Sequence, residues 1–227
     1  AAAIVLCCWG LAGGALAQDT HFNRVASFAT PLNMAAGEDA ARESSAEIIT
    51  ASEDGMTLVY TDSPLGVVGL VDITDPMAPK PLGNIEMGGE PTTAVFLGKW
   101  IFAGVNTSES FANPSGKLVT VDPATKAVVA ECDIGGQPDA VAKAPDGSFL
   151  AIAVENERDE EVKDGALPQM PAGFVVKLPI VDGAVDCAAL QRIEMTGLAE
   201  VAPEDPEPEY LDINAVGEIV VTLQENN

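Results

Sequence analysis

The tetrapeptide Gly88-Gly89-Glu90-Pro91 returns 47 residues later as Gly135-Gly136-Gln137-Pro138, and Pro206-Glu207-Pro208-Glu209-Tyr210 introduces a third copy of the same downstream segment. Behind each proline the chain reads alike: "TTAVFLGKWIFAGVNTSE", "DAVAKAPDGSFLAIAVENER" and "EYLDINAVGEIVVTLQENN". Each is an apolar run, a tight turn and a second apolar run. The alternation at Ala140 and Ala142 suits a half-buried strand, and the runs Phe149 to Val154 and Ile219 to Leu223 suit buried ones. Asp146-Gly147 supplies the positive φ that a tight hairpin needs. An earlier copy starts near Ser45, turns at Asp54-Gly55 and reaches Tyr60 to Pro64. A fixed return of one supersecondary unit constrains the fold strongly, because such a unit buries its apolar faces only by stacking on its copies.

The register is kept through each hairpin. Asn156 lies 18 residues past Pro138, and Asn226 lies 18 past Pro208. Asn106 comes three residues early because "FLGKW" is a shorter turn. Two more strands come after each hairpin: Val67–Ile73 and Pro81–Met87, then "KLVTVDPATKAVVAECDIG" with its turn at Asp122-Pro123 and a closing strand Val128–Ile134. "GFVVKLPIVDGAVDCAALQRIEM" repeats the plan around Asp182-Gly183. Four antiparallel strands in each unit of about 45 residues predict an all-β fold, a β-propeller of four-stranded blades. A β-sandwich is the runner-up, but it does not predict a recurring Gly-Gly-x-Pro. Asp39 to Glu47 is a weak helical candidate.

Residues 45–227 then hold about three and a half blades, and residues 18–44 form a segment joining them. Propellers close with about 4–8 blades. The expectation is therefore an incomplete ring, truncated in its fourth blade, with the remaining blades in sequence beyond Asn227. The 70 residues from Pro138 to Pro208 exceed one period, and the excess lies in "RDEEVKDGALPQMPA" and "TGLAEVAPEDPEPE", both Pro-rich and acidic, hence loops. Loops of this length in a compact domain are commonly functional or mobile.

The first 17 residues have a different character. "AAAIVLCCWGLAGGALAQD" is a short apolar stretch closed by the small-x-small pattern Ala15-Leu16-Ala17, which predicts a signal peptide lacking its start and a mature N-terminus near Gln18. The stretch is too short for a comfortable membrane span. Export to a secreted or periplasmic location is expected, with no membrane span after the leader is removed. Cys132 and Cys187 then remain, and an exported compartment permits a disulfide between them; two buried thiols are the alternative.

With 11 Lys+Arg against 35 Asp+Glu, the net charge is −24, which repels nucleic acid and anionic membranes. In a four-stranded blade, the loop into the first strand and the loop out of the second lie on one face. The repeat therefore gathers Glu90, Gln137, Asp139, Glu207 and Glu209 beside Asn106, Glu155, Asn156, Glu157, Glu225 and Asn226, around one axis. Oxygen ligands without His or Cys suit a hard cation such as Ca²⁺. The candidate metal ligands are Glu155, Asn156, Glu157, Glu207, Glu209, Glu225 and Asn226. Two other readings stand beside this one: solvated acidic loops, and carboxylate acid–base chemistry. The repeated asparagines also suit a turn-holding role.

Other chemistry is thin. His21, the single histidine, lies in the N-terminal segment, so a Ser-His-Asp triad is not expected. There is no G-x-S-x-G, and "NPSGK" lacks the first glycine of a P-loop. No residue is singled out as catalytic. Trp100 is expected in a blade core.

The segments "FNRVASFATPLNMAAGEDAARESSAEIITASEDGMTLVYTDSPLGVVGLVDITDP", "GGQPDAVAKAPDGSFLAIAVENERDEE" and "EPEYLDINAVGEIVVTLQENN" resemble the exported bacterial propeller proteins called choice-of-anchor I, from about Phe22 onward. They are also similar to the propeller portion of proteins described as esterase-like activity of phytase. The resemblance implies a secreted or periplasmic propeller of seven-bladed type, with a phosphatase-type region commonly further along the chain. Two functions stand as expectations. One is a propeller domain belonging to a Ca²⁺-dependent phosphoester hydrolase of phytase-like type. The other is a non-catalytic propeller for surface recognition or adhesion, with Arg158–Ala172 and Thr196–Glu209 carrying specificity.

Overall fold

The computed structural model describes residues 23–159 and 161–226. The predicted leader and His21 lie outside them. Among the described residues, fifteen strands build a succession of antiparallel sheets. The first blade is β1 (Ala46–Ala51), β2 (Thr57–Asp62), β3 (Val67–Asp72) and β4 (Lys80–Glu86), paired in chain order. The second is β5 (Glu90–Leu97), β6 (Trp100–Asn106), β7 (Gly116–Asp122) and β8 (Ala127–Asp133), in the same order. The third is β9 (Pro138–Lys143), β10 (Phe149–Val154) and β11 (Phe174–Val181), with its outer strand split into β12 (Ala184–Val185) and β13 (Gln191–Glu194). β14 (Pro208–Ile213) and β15 (Ile219–Leu223) make a two-stranded fourth sheet. The expected propeller is therefore present, as three blades and the inner half of another. The segment Asp39 to Glu47 is not helical: it runs through turns and enters β1 at Ala46, because β1 must pair with β2 to complete the blade.

The hairpins obey the turn chemistry. Leu97 pairs with Trp100 across a two-residue turn, so "FLGKW" is the shorter connection expected. Asp182 and Gly183 both have positive φ, 52° and 77°, as a mirror-image hairpin turn between paired Val181 and Ala184 requires.

In the three full blades burial is greatest in the two middle strands. β10 is wholly buried because it has a neighbour on each face. Leu150, Ile152 and Val154 pack with Phe102 and Leu118 of the second blade, while Phe149, Ala151 and Ala153 pack with Leu211 and Ile213 of the fourth sheet. Leucine and isoleucine on one face and alanine on the other set the two spacings. Trp100 lies against the core between the second and third blades. The outermost strands are exposed: along β8 only Cys132 is buried.

That cysteine forms a disulfide with Cys187, Cα to Cα 5.5 Å, joining the rim of the second blade to the third. Cys187 begins the 3-10 turn Cys187–Ala189 that interrupts the outer strand, and the Asp186 side chain caps that turn at Ala188 N. Replacing both cysteines with serine is expected to remove about 2–4 kcal/mol of stability, read from urea denaturation. Identical midpoints for the oxidised, reduced and substituted protein would contradict this staple.

Candidate cation site

The site begins with an irregularity in the innermost strand of each blade. Pairing slips a register between Pro91 and Thr93 on β5, between Pro138 and Ala140 on β9, and between Pro208 and Leu211 on β14. The displaced residue behind each proline is Thr92, Asp139 or Glu209. β1 slips likewise between Ala46 and Ile49, displacing Glu47. In the first and fourth sheets the slip has the same brace: Ile48 N donates to Thr61 Oγ1 at 3.2 Å, and Tyr210 N donates to Thr222 Oγ1 at 3.1 Å. A bulge of this kind re-aims a side chain out of the ladder. Thr92 uses the freedom to donate to Pro138 O of the next blade at 2.7 Å. The corresponding positions further round hold carboxylates.

Asp139, Glu155 and Glu209 each place a carboxylate oxygen within 4.8 Å of the other two. Glu155 enters from the end of β10, held by its backbone N donating to Gln137 O at 2.9 Å, and is only 8% exposed. With its amide nitrogen turned toward Glu209, Gln224 donates to both oxygens of that carboxylate, at 2.7 and 2.5 Å. Burial, then the charges of Asp139 and Glu209, push Glu155 up to about 9. Burial, then Glu209 and Glu157, push Asp139 up to about 7. Like charges this close do not all ionise in a partly dry site; they share protons or take a cation.

The other candidate ligands have varied surroundings. The Asn156 side chain accepts from Gln137 N at 3.1 Å and donates to Ala172 O at 3.1 Å, at a positive φ of 54°. Asn226 accepts from Glu207 N at 2.8 Å and donates to Asp205 O at 2.9 Å. Each repeated asparagine thus holds the backbone of a blade's lead-in. Glu207 is engaged by Arg158: it accepts from the backbone N at 3.0 Å, and Oε2 lies 3.1 Å from Nη1 in an ionic contact. Arg158 Nε also donates to buried Asp205 at 3.0 Å. Burial pushes Glu207 up to about 7 against the pull of Arg158. Glu157 is exposed and accepts from Gln137 Nε2 at 3.1 Å, and Glu225 is exposed on the 3-10 turn Gln224–Asn226. Glu90 is exposed and accepts from Asn106 Nδ2 at 3.2 Å, away from the triad.

Glu155 and Glu209 are thus brought together, with Glu157 nearby, while Glu207, Asn156 and Asn226 bind protein groups. Asp139 belongs to the predicted face but not to the predicted ligand set. The signal for it was present in the repeat, as the residue immediately after each blade's proline.

These shifts make stability depend on pH. A carboxyl whose folded pKa exceeds its unfolded value holds a proton that unfolding releases, so its stabilisation is full below the unfolded pKa and lost as pH rises toward the folded one. For Glu155 that window runs from 4.5 to about 9. The turn carboxylates Asp54, Asp72 and Asp146 are held low by side-chain and backbone hydrogen bonds and act in the opposite sense in stronger acid. The metal-free urea midpoint is expected to fall from pH 5 to pH 8, by at most about 1.4 kcal/mol per pH unit for each shifted group. Glu155→Gln should flatten that slope. A midpoint that rises over this interval, or an unchanged slope in the variant, would contradict the clustering.

No curated protein matches the chain by sequence. Among solved structures, a putative 6-phosphogluconolactonase from Bacteroides uniformis is 15% identical with a TM-score of 0.58, over 86% of this chain and 52% of its own. The periplasmic gluconolactonase of Pseudomonas aeruginosa is 15% identical, TM-score 0.53, over 81% and 48%. Hydrazine synthase of Kuenenia stuttgartiensis is 18% identical, TM-score 0.54, over 77% and 49%. The chain spans about half the length of these structures, and the likeness is one of fold. The choice-of-anchor I domain family matches residues 47–227, most of the chain and all of its blades, and the protein belongs to that family.

Proposed function

We propose that this chain is the cation-binding propeller portion of an exported choice-of-anchor I protein, with Asp139, Glu155 and Glu209 as ligands for a hard divalent ion such as Ca²⁺. The observation that carries the reading is the meeting of three carboxylates from two blades, one of them almost fully buried. All-oxygen, all-anionic donors match the preference of Ca²⁺, and neither thiol nor imidazole joins the group. Two positive charges would relieve the repulsion that otherwise holds protons on Asp139 and Glu155 near neutral pH. Export is supported by the apolar leader ending in Ala15-Leu16-Ala17 and by the Cys132–Cys187 disulfide, a bond of oxidising compartments. Among the described residues no helix is long and apolar enough to cross a membrane.

The phosphoester-hydrolase reading rests on the phytase-like resemblance. The charge at the site works against it. One divalent ion among three carboxylates leaves a negative centre, and Arg158, the basic residue on the adjoining cavity wall, is already paired with Asp205 and Glu207. A non-catalytic, cation-stabilised propeller for surface recognition fits the charge better.

Calorimetric titration is expected to show one Ca²⁺ bound with a dissociation constant of about 10⁻⁴–10⁻³ M, the range of extracellular modules. Affinity should rise from pH 6 to pH 8, because binding displaces protons. Asp139→Asn should weaken it at least about tenfold, roughly 1.4 kcal/mol. Absence of binding at about 5 mM Ca²⁺, or an unaffected Asp139→Asn variant, would remove the reading. Turnover of phytate that requires Ca²⁺ and is lost in Asp139→Asn would establish the hydrolase instead.

A further inference from the structure

Beside the carboxylate triad lies a cavity of about 610 Å³, lined by the acids Glu155, Glu157, Asp159 and Glu225 and by the apolar Phe111 and Leu167. Phe111 sits at the tip of a small turn between β6 and β7, closed by the Ser110–Asn113 bridge, and is 43% exposed. Leu167, 44% exposed, projects from the insertion between β10 and β11. A second hollow of about 210 Å³ shares Phe111 with the first and continues over Val162, Met170 and Pro171. Val162 and Met170 are exposed as well. The two hollows together offer an apolar shelf leading to an acidic floor.

Among the described residues lining the floor, Arg158 is the one basic side chain. Arg158 is taken up by Asp205 and Glu207, to which its side chain turns at 3.0 and 3.1 Å. Glu155, nine-tenths buried, lines the cavity, and its carboxyl faces the carboxylates of Asp139 and Glu209. An inorganic ion satisfies such a floor but gains nothing from the shelf. An anion is repelled by it. A ligand with an apolar stem and a cationic head satisfies both, because the stem covers the aromatic ring while the head reaches the carboxylates.

We infer that this groove binds a lysine-bearing, otherwise apolar peptide segment of a partner protein, the ammonium group entering among Glu157, Asp159 and Glu225 and the neighbouring side chains resting on Phe111, Val162 and Met170. The inference goes beyond the divalent-ion reading and does not need it. The two insertions, which depart from the blade repeat, are tied together beside the groove, where Arg158 of the first pairs with Asp205 and Glu207 of the second.

The test uses the whole chain in chelator at about 0.15 M salt, so that divalent ions play no part. The probe is a fluorescein-labelled, end-blocked pentapeptide with a central lysine flanked by leucines, monitored by anisotropy. A matched peptide with norleucine in place of lysine keeps the stem and removes the charge. The lysine peptide is expected to bind at least about tenfold tighter than the norleucine one, a difference a desolvated charge contact supplies. Phe111→Ala and Glu157→Gln, both at exposed positions, should each weaken it by about tenfold, as anchor residues do. Glu218→Gln, which removes one charge at the distant β14–β15 turn, should leave it unchanged. Equal binding of the two peptides, indifference to Phe111→Ala, or spermidine competing as well as the peptide would each overturn the inference.

Discussion

Blade is joined to blade where the glycine opening one third strand lies against the lead-in of the next. A Cβ on Gly116 would stand 2.5 Å from Pro138 Cδ, and one on Gly173 would stand 2.5 Å from Pro208 Cδ and 2.6 Å from Pro206 O. Gly173 N also donates to Pro206 O at 2.9 Å. Backbones that pass this closely leave no room for a side chain, and the angle between neighbouring sheets is set by that contact. The Gly-Gly-x-Pro sequence is the other half of the joint. Gly135 takes a positive φ of 78° to turn the chain inward, and a Cβ on Gly136 would meet Val154 Cγ1 at 2.5 Å.

The acidic centre is a consequence of the joint. In β5, β9 and β14 the residue after the proline leaves the register of the ladder. Where that residue is Thr92, it ties to the next blade by a hydrogen bond. Where it is Asp139 or Glu209, two carboxylates converge with Glu155. Asn156 and Asn226 brace the same lead-ins from beneath, so the ligand-bearing strands are held by backbone contacts rather than by their own charged groups. The fold supplies enough buried apolar surface in its interblade cores to keep such repulsion in place.

The blade plan was legible because turn residues and apolar runs recur in step. Phe149–Val154 and Ile219–Leu223 are strands with the bounds read from the sequence, since their flanking turns are unambiguous. The helical hint at Asp39 to Glu47 failed because strand pairing of Ala46 with Asp62 overrides a weak local preference. At the site, the repeat placed the acids on one face. It did not distinguish Glu207, which an arginine 49 residues away in sequence engages, from Glu209, which turns to the axis. Alternation along a strand separates such neighbours only when the register is known, and the bulge behind each proline shifts it. The outer-strand break at Cys187 has no counterpart in the other blades, and the 3-10 turn there, capped by Asp186, leaves no mark on the repeat.

The central claim is that blade geometry presses the carboxyl groups of Asp139, Glu155 and Glu209 together, which lifts the titration of Glu155. Carbon-detected NMR of the Glu155 carboxyl through pH 4 to 10 measures it directly. The account predicts a metal-free midpoint far above the ordinary 4.5, toward about 9, moving down when Ca²⁺ is added. A midpoint near 4.5 with no response to Ca²⁺ would mean that the three carboxylates do not meet in solution.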